Sequence, residues 1–226
     1  RSGGIVGSKA GQDGGIVNIS YCYNTGNIAR VCSGITGEMT GDEGGDVTIK
    51  YCYNIGPINA DYATGLVGYR TGNNEGTVRI FNCYNAADGT GDQHQSGICG
   101  WRTGDTTDSS YSSGGTVEIF NCWNSGQNLV YSICGAIENR PASIIVKNCY
   151  SIQTDINIAT DSSNNILVEN TLYSGDTWDY YTAHKTIGTT SDGYSDIRWY
   201  FTDDMWLIGD TDGSDYEDFS RANCVY

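Results

Sequence analysis

One stretch recurs down most of this chain, and the recurrence limits the fold more than any other feature. Val47 to Asn54 reads Val-Thr-Ile-Lys-Tyr-Cys-Tyr-Asn. Altered copies run from Val17 to Asn24, Val78 to Asn85, Val117 to Asn124 and Ile144 to Ser151, and an eroded one from Ile166 to Ser174. The cysteines of the first five copies lie 30, 31, 39 and 27 residues apart. A second motif interleaves: Gly4-Ile-Val-Gly7, Gly34-Ile-Thr-Gly37, Gly65-Leu-Val-Gly68, Gly97-Ile-Cys-Gly100 and Ser132-Ile-Cys-Gly135. Self-similarity at this period marks a solenoid, propeller or array.

Within one repeat, Val47 and Ile49 alternate with Thr48 and Lys50, the period-two pattern of a half-buried strand. Gly41, Gly44 and Gly45 mark tight turns before it, and a bend is expected near Tyr51. Three short strands per coil follow, in segments too brief and too glycine-rich for helices. The expected fold is all-β: a parallel β-helix (β-solenoid) of about five to six rungs over residues 1–174. Residues 175–226 show no repeat and gather aromatics from Trp178 to Phe219, and they read as an irregular C-terminal cap over the last rung. The first motif opens at Gly3-Gly4, mid-repeat, which suggests a piece of something longer or a solenoid whose first rung is open.

Stacked coils place equivalent side chains roughly 4.8 Å apart. Cys22, Cys52, Cys83, Cys122 and Cys149 would then form an inward ladder, and Asn24, Asn54, Asn85 and Asn124 another at a bend. An amide both donates and accepts, so such a stack satisfies itself; Ser151 and Ser174 interrupt it. The thiols read as packed small apolar groups. Where a disulfide forms, the best candidate pair is Cys99 with Cys134, which share a slot on consecutive rungs. No Cys-x-x-Cys pair occurs and His94 and His184 are the only histidines, so zinc-ligand spacing is absent.

The interleaved Gly-Ile/Leu-x-Gly and Cys-Tyr-Asn motifs, over about residues 3–151, resemble the GLUG-motif repeats of bacterial surface proteins, including regions attached to some immunoglobulin A peptidases. The resemblance implies an extracellular or cell-surface β-solenoid without activity of its own. The zinc signature of those peptidases, His-Glu-x-x-His, is missing, so no protease role carries over. Ser132 in place of glycine and the polar stretch Asp105–Ser113, read as a surface loop, depart from the pattern.

A net charge of −15 argues against nucleic acid or an anionic membrane as partner. No run of about 18 apolar residues exists to insert in a membrane. Five carboxylates, Asp210, Asp212, Asp215, Glu217 and Asp218, crowd one loop that reads either as solvated or as a calcium site; no other cofactor is expected. Tyr23, Tyr53, Tyr84, Trp123 and Tyr150 are expected to point outward as a regular stripe, by which rungs stack or a glycan or protein docks. For catalysis no acid ladder exists, since Ile16, Asp46, Thr77 and Thr116 share one slot. Asp61, Asp88 and Asp92 lie in turns and are the remaining acids that a lyase or hydrolase groove could use. Asn18-Ile-Ser20 is a lone glycosylation sequon.

The function expected from these residues is a non-catalytic extracellular structural or adhesive solenoid. Its partners would be other subunits, head to tail in a fibre, or upstream repeats of the same chain. The alternative is a carbohydrate-binding module or, further off, a polysaccharide lyase or hydrolase.

Overall fold

A computed structural model describes residues 1–91, 93–105, 114–135, 142–147, 149–151, 165–169, 172–173, 207–208 and 224–225. The long copies of the repeat form one parallel sheet. Its strands are β1 (Ile16–Ser20), β3 (Asp46–Lys50), β5 (Thr77–Phe81), β7 (Thr116–Phe120), β9 (Ser143–Lys147) and β11 (Asn165–Glu169), stacked in that order. The dipeptides after the cysteines form a second parallel sheet, from β2 (Tyr23–Asn24) through β4 (Tyr53–Asn54), β6 (Tyr84–Asn85), β8 (Trp123–Asn124) and β10 (Tyr150–Ser151) to β12 (Leu172–Tyr173). The Gly-x-x-Gly motifs supply a third wall of single parallel bridges, Ser33 to Thr64 to Ser96 to Tyr131 and Thr36 to Val67 to Cys99 to Cys134. The chain is a parallel β-solenoid of about four described turns, with strands of two more above them. No helix occurs among the described residues, so none there is long and apolar enough to cross a membrane.

Register is the one the repeat demands. Val17 pairs with Val47, Val47 with Val78, Val78 with Val117 and Val117 with Ile144. A one-residue slip would turn each of these columns outward. Val47, Val78, Val117 and Ile144, with Ile49, Ile80, Ile119 and Val146, are fully buried. Leu66, Ile98 and Ile133 meet them from the third wall to close a single core. Ile28, Ile58, Ala63, Ala87 and Leu129 fill a smaller cluster behind the turns.

The expected bend near Tyr51 is a column of left-handed corners: Tyr21, Tyr51, Asn82 and Asn121 have φ of 57°, 53°, 52° and 53°. Asparagine visits that region more readily than tyrosine. Gly41 and Gly44 turn the chain at φ 71° and 76°, as their glycines require.

The outward aromatic stripe is corrected. Tyr53, Tyr84 and Trp123 are only 5%, 8% and 2% exposed, whereas Tyr23 on the first rung is 51% exposed. The rings pile along the axis: Tyr23 on Tyr53 at 5.1 Å and 7°, Tyr84 edge-on to Trp123 at 5.8 Å. Alternation assigns a face, but a rung above and a rung below cover a ring that lies in the stack. Tyr150 continues the column through its backbone pairing with Trp123. Of the proposed cap, only the antiparallel pair β13 (Leu207–Ile208) and β14 (Cys224–Val225) belongs to the described residues.

Candidate functional site

The asparagine ladder forms as its spacing requires. Asn24 Nδ2 donates to Asn54 Oδ1 at 2.8 Å, Asn54 to Asn85 at 2.9 Å and Asn85 to Asn124 at 2.7 Å. The second Nδ2 proton goes to a carbonyl two residues on, at Gly26, Gly56, Ala87 and Gly126. Gly26, Gly56 and Gly126 return their amides to the same side chains' Oδ1. Asn54, Asn85 and Asn124 are fully buried, and their bonding leaves no orphan amide.

The cysteine ladder stands beside it. Each thiol donates to the carbonyl two residues back, at 3.1–3.3 Å in Cys52, Cys83, Cys122 and Cys149. The eight cysteines from Cys22 to Cys149 are all free. Cys99 and Cys134 do pair as backbone neighbours, as their shared slot implied, but the disulfide assigned to them is not formed; Cys99 Sγ lies 3.2 Å from Thr103 Oγ1 instead. The hydrogen bond with Cys83, and then burial, push the Cys52 thiol up. Burial, then Cys149 and Cys83, push Cys122 up, and the bond with Cys99 followed by burial does the same for Cys134. Against its burial, hydrogen bonds with Cys122 and Cys52 draw the Cys83 thiol down, and those with Cys134, Thr103 and Thr71 do the same for Cys99, so each raised thiol is one partner of a coupled, buried pair.

The acids raised by the sequence do not converge. Asp46 pairs with Arg79, which also reaches Glu118 at 3.3 Å, an ionic run along the outside of the long sheet. Asp61 faces Arg30 at 3.9 Å, and Asp88 Oδ1 accepts the Gln127 amide at 2.9 Å. Asp92 and the run from Asp210 to Asp218 lie outside the described residues. Among the described residues no group of three or more His, Cys, Asp or Glu is arranged to hold a metal.

A different cluster is assembled on the flank of the third wall. Tyr62 and His94 occupy left-handed corners before that wall, at φ 59° and 61°. Tyr69 and Trp101 follow its closing glycines. The intervening strand is so short that the two columns meet. His94 stacks on Trp101 at 4.0 Å and 10°; Tyr62 lies 4.9 Å from His94 and 5.3 Å from Trp101; Tyr69 lies 5.6 Å from Trp101. His94 Nδ1 is 3.4 Å from Tyr131 Oη. Three guanidiniums lie over the rings: Arg30 over Tyr62, Arg70 over Tyr69 and Arg102 over Trp101, at 5.6, 4.9 and 5.5 Å. All four rings of Tyr62, Tyr69, His94 and Trp101 are half-buried, so part of each faces solvent.

The sequence reading missed this cluster, although a signal was present. Tyr62 and His94 each stand three residues before a Gly-x-x-Gly motif, and Tyr69 and Trp101 each one residue after it. Aromatic residues at matched offsets on consecutive rungs must form adjoining columns.

No family model, curated protein or solved structure matches the chain.

Proposed function

We propose that this chain is a non-catalytic structural and adhesive β-solenoid of the cell surface or extracellular space. It would act either as a segment of a longer repeat protein or by stacking head to tail on another copy. The observation that carries the reading is the state of the first rung. Tyr23 is 51% exposed there, whereas its counterparts Tyr53, Tyr84 and Trp123 on inner rungs are buried; Tyr21 is 58% exposed against buried Asn82 and Asn121, and Ile16, in an outward slot, is 78% exposed against half-buried Asp46, Thr77 and Thr116. A parallel edge of this kind is a template for one more rung. The motif resemblance to GLUG repeats supports the surface location, and the fully packed interior supports a load-carrying rather than a ligand-enclosing role.

Sedimentation and light scattering over a wide concentration range test the assembly. Association should rise with concentration and fall in an Ile16→Lys, Ile5→Asp variant, which places charge on the edge. A monodisperse monomer at high concentration removes the fibre version. A second reading, glycan binding, is favoured by the half-buried aromatic cluster beside the third wall.

A further inference from the structure

We propose that Tyr62, Tyr69, His94, Trp101 and Arg70 form a binding site for an acidic oligosaccharide, with Arg70 gripping a sugar carboxylate and the rings supporting the pyranose faces. The inference rests on the glycan-binding reading of this cluster and names its ligand class, and it stands whether or not the chain assembles.

Charge comes first. The chain carries −15 overall, yet the left-handed corner after each Gly-x-x-Gly motif holds Lys9, Met39, Arg70 and Arg102. Three of these four stacked positions are basic, and they border the column of Tyr69 and Trp101. Arg102 is paired with Asp105 and Arg30 with Asp61, so Arg70 carries the attraction for an anion at this cluster.

Arg70 and Arg102 differ in a telling way. Arg102 Nε donates to Asp105 at 2.7 Å, and Asp105 is fully buried, so that pair is internal architecture. Arg70 Nε is buried without a hydrogen-bond partner, and none of the ion pairs among the described residues includes Arg70. An orphaned guanidinium N–H is among the less tolerable states of a folded protein. That atom is closed to solvent, so a carboxylate from solution would meet the terminal amino groups of the half-buried Arg70, which no ion pair among the described residues engages.

The rings supply the rest of the site. Half-buried tyrosine, tryptophan and histidine give flat apolar surface with polar rims at small entropic cost, which suits a ligand that is apolar on its ring faces and hydroxylated at its edge. Each column runs along the solenoid axis for two rungs, so a linear glycan lying parallel to that axis meets Tyr62 and His94 on one side and Tyr69 and Trp101 on the other. A polyphosphate carries comparable charge but offers no apolar ring face for Tyr62 and Trp101 to support.

Calorimetric titration of the whole protein tests this with three probes: a linear homo-oligouronate, a neutral oligosaccharide of equal length and a single-stranded oligodeoxynucleotide. The uronate should bind, and the neutral sugar about tenfold more weakly or worse, the worth of one charge-assisted contact. Arg70→Gln should lower uronate affinity by about 10- to 100-fold without changing the melting temperature. Arg70→Lys should fall between, since it keeps the charge and loses the fork. Trp101→Phe should weaken the uronate and the neutral sugar alike. No uronate binding at millimolar concentration, equal affinity of wild type and Arg70→Gln, or tighter binding of the oligodeoxynucleotide each overturns the proposal.

Discussion

The Ser132 and Ser151 hydroxyls are hydrogen-bonded to each other in the one described rung where both ladder-corner residues are replaced. On the lower rungs the same two positions are glycine and asparagine. A methyl group on Gly34 would collide with Gly65 O and come within 3.0 Å of Asn54 Oδ1, and one on Gly97 would collide with Ser132 O and come within 2.5 Å of Asn124 Oδ1. The smaller Ser151 makes room for the Ser132 side chain. Ser132 Oγ then takes the proton that Asn124 Nδ2 offers upward, at 2.9 Å.

The pair is therefore predicted to be coupled. Ser151→Asn alone should destabilise the protein by about 1–3 kcal/mol through overpacking. Adding Ser132→Gly should recover most of the loss by restoring the lower-rung arrangement. A double-mutant cycle from urea unfolding should give an interaction energy of about 1 kcal/mol or more; additive effects would contradict the account.

Two glycines should respond unequally, and for different reasons. Gly65 has no left-handed requirement, but a methyl group there would collide with Gly97 O and Asn85 Oδ1. Gly65→Ala should lower stability by about 3 kcal/mol or more, as backbone must move. Gly44 sits at φ 76° with open space around it. Gly44→Asn should lose only a few tenths of a kcal/mol and Gly44→Ala about 1–2 kcal/mol. Denaturation midpoints of the three variants check the order.

Asn85 serves two rungs and its own turn, whereas Asn24 has a rung neighbour on one side only. Asn85→Ala should therefore lower stability by about 2–4 kcal/mol, from partners left unpaired in the interior. Asn24→Ala should lower it by about 1 kcal/mol. Amide exchange should localise the second effect to the first rung and spread the first effect over its neighbours.

The raised members of the coupled thiol pairs make stability fall in alkali, and the lowered members, Cys83 and Cys99, offset part of the fall. Cys52, Cys122 and Cys134 are pushed up in the folded chain, so it holds their protons where the unfolded chain releases them. Their contribution is fully present below the ordinary thiol value of about 8.5 and declines as pH rises beyond it. Melting temperature should drop between pH 8 and 10, less steeply in Cys122→Ala. In native protein a thiol reagent should label the half-buried Cys22 and Cys32 first and the six buried described cysteines only at the rate of unfolding.

Much of this was legible in the residues because a column multiplies every signal. Val47 alone says little, but Val17, Val47, Val78 and Val117 at constant distance from a cysteine and an asparagine leave one register open. The same logic placed both ladders. It failed for Tyr53 and Trp123, since alternation reports which face a ring takes and not whether neighbouring rungs close over it. It also failed for Tyr62, Tyr69, His94 and Trp101. Their contact depends on the third wall being short enough for its two borders to touch, a dimension no single repeat displays.

Every amide in the asparagine row points the same way, from Asn24 toward Asn124. The row is thus vectorial: Asn54 Oδ1 receives a rung amide as well as the amide of its own turn, whereas Asn24 Oδ1 holds the Gly26 amide and has room for a second donor. A surface that abuts the first rung gains by bringing a donor to that point, and two copies meeting first rung to first rung would set acceptor against acceptor. Any polymer grown on this lattice inherits a plus end and a minus end from a single line of side chains.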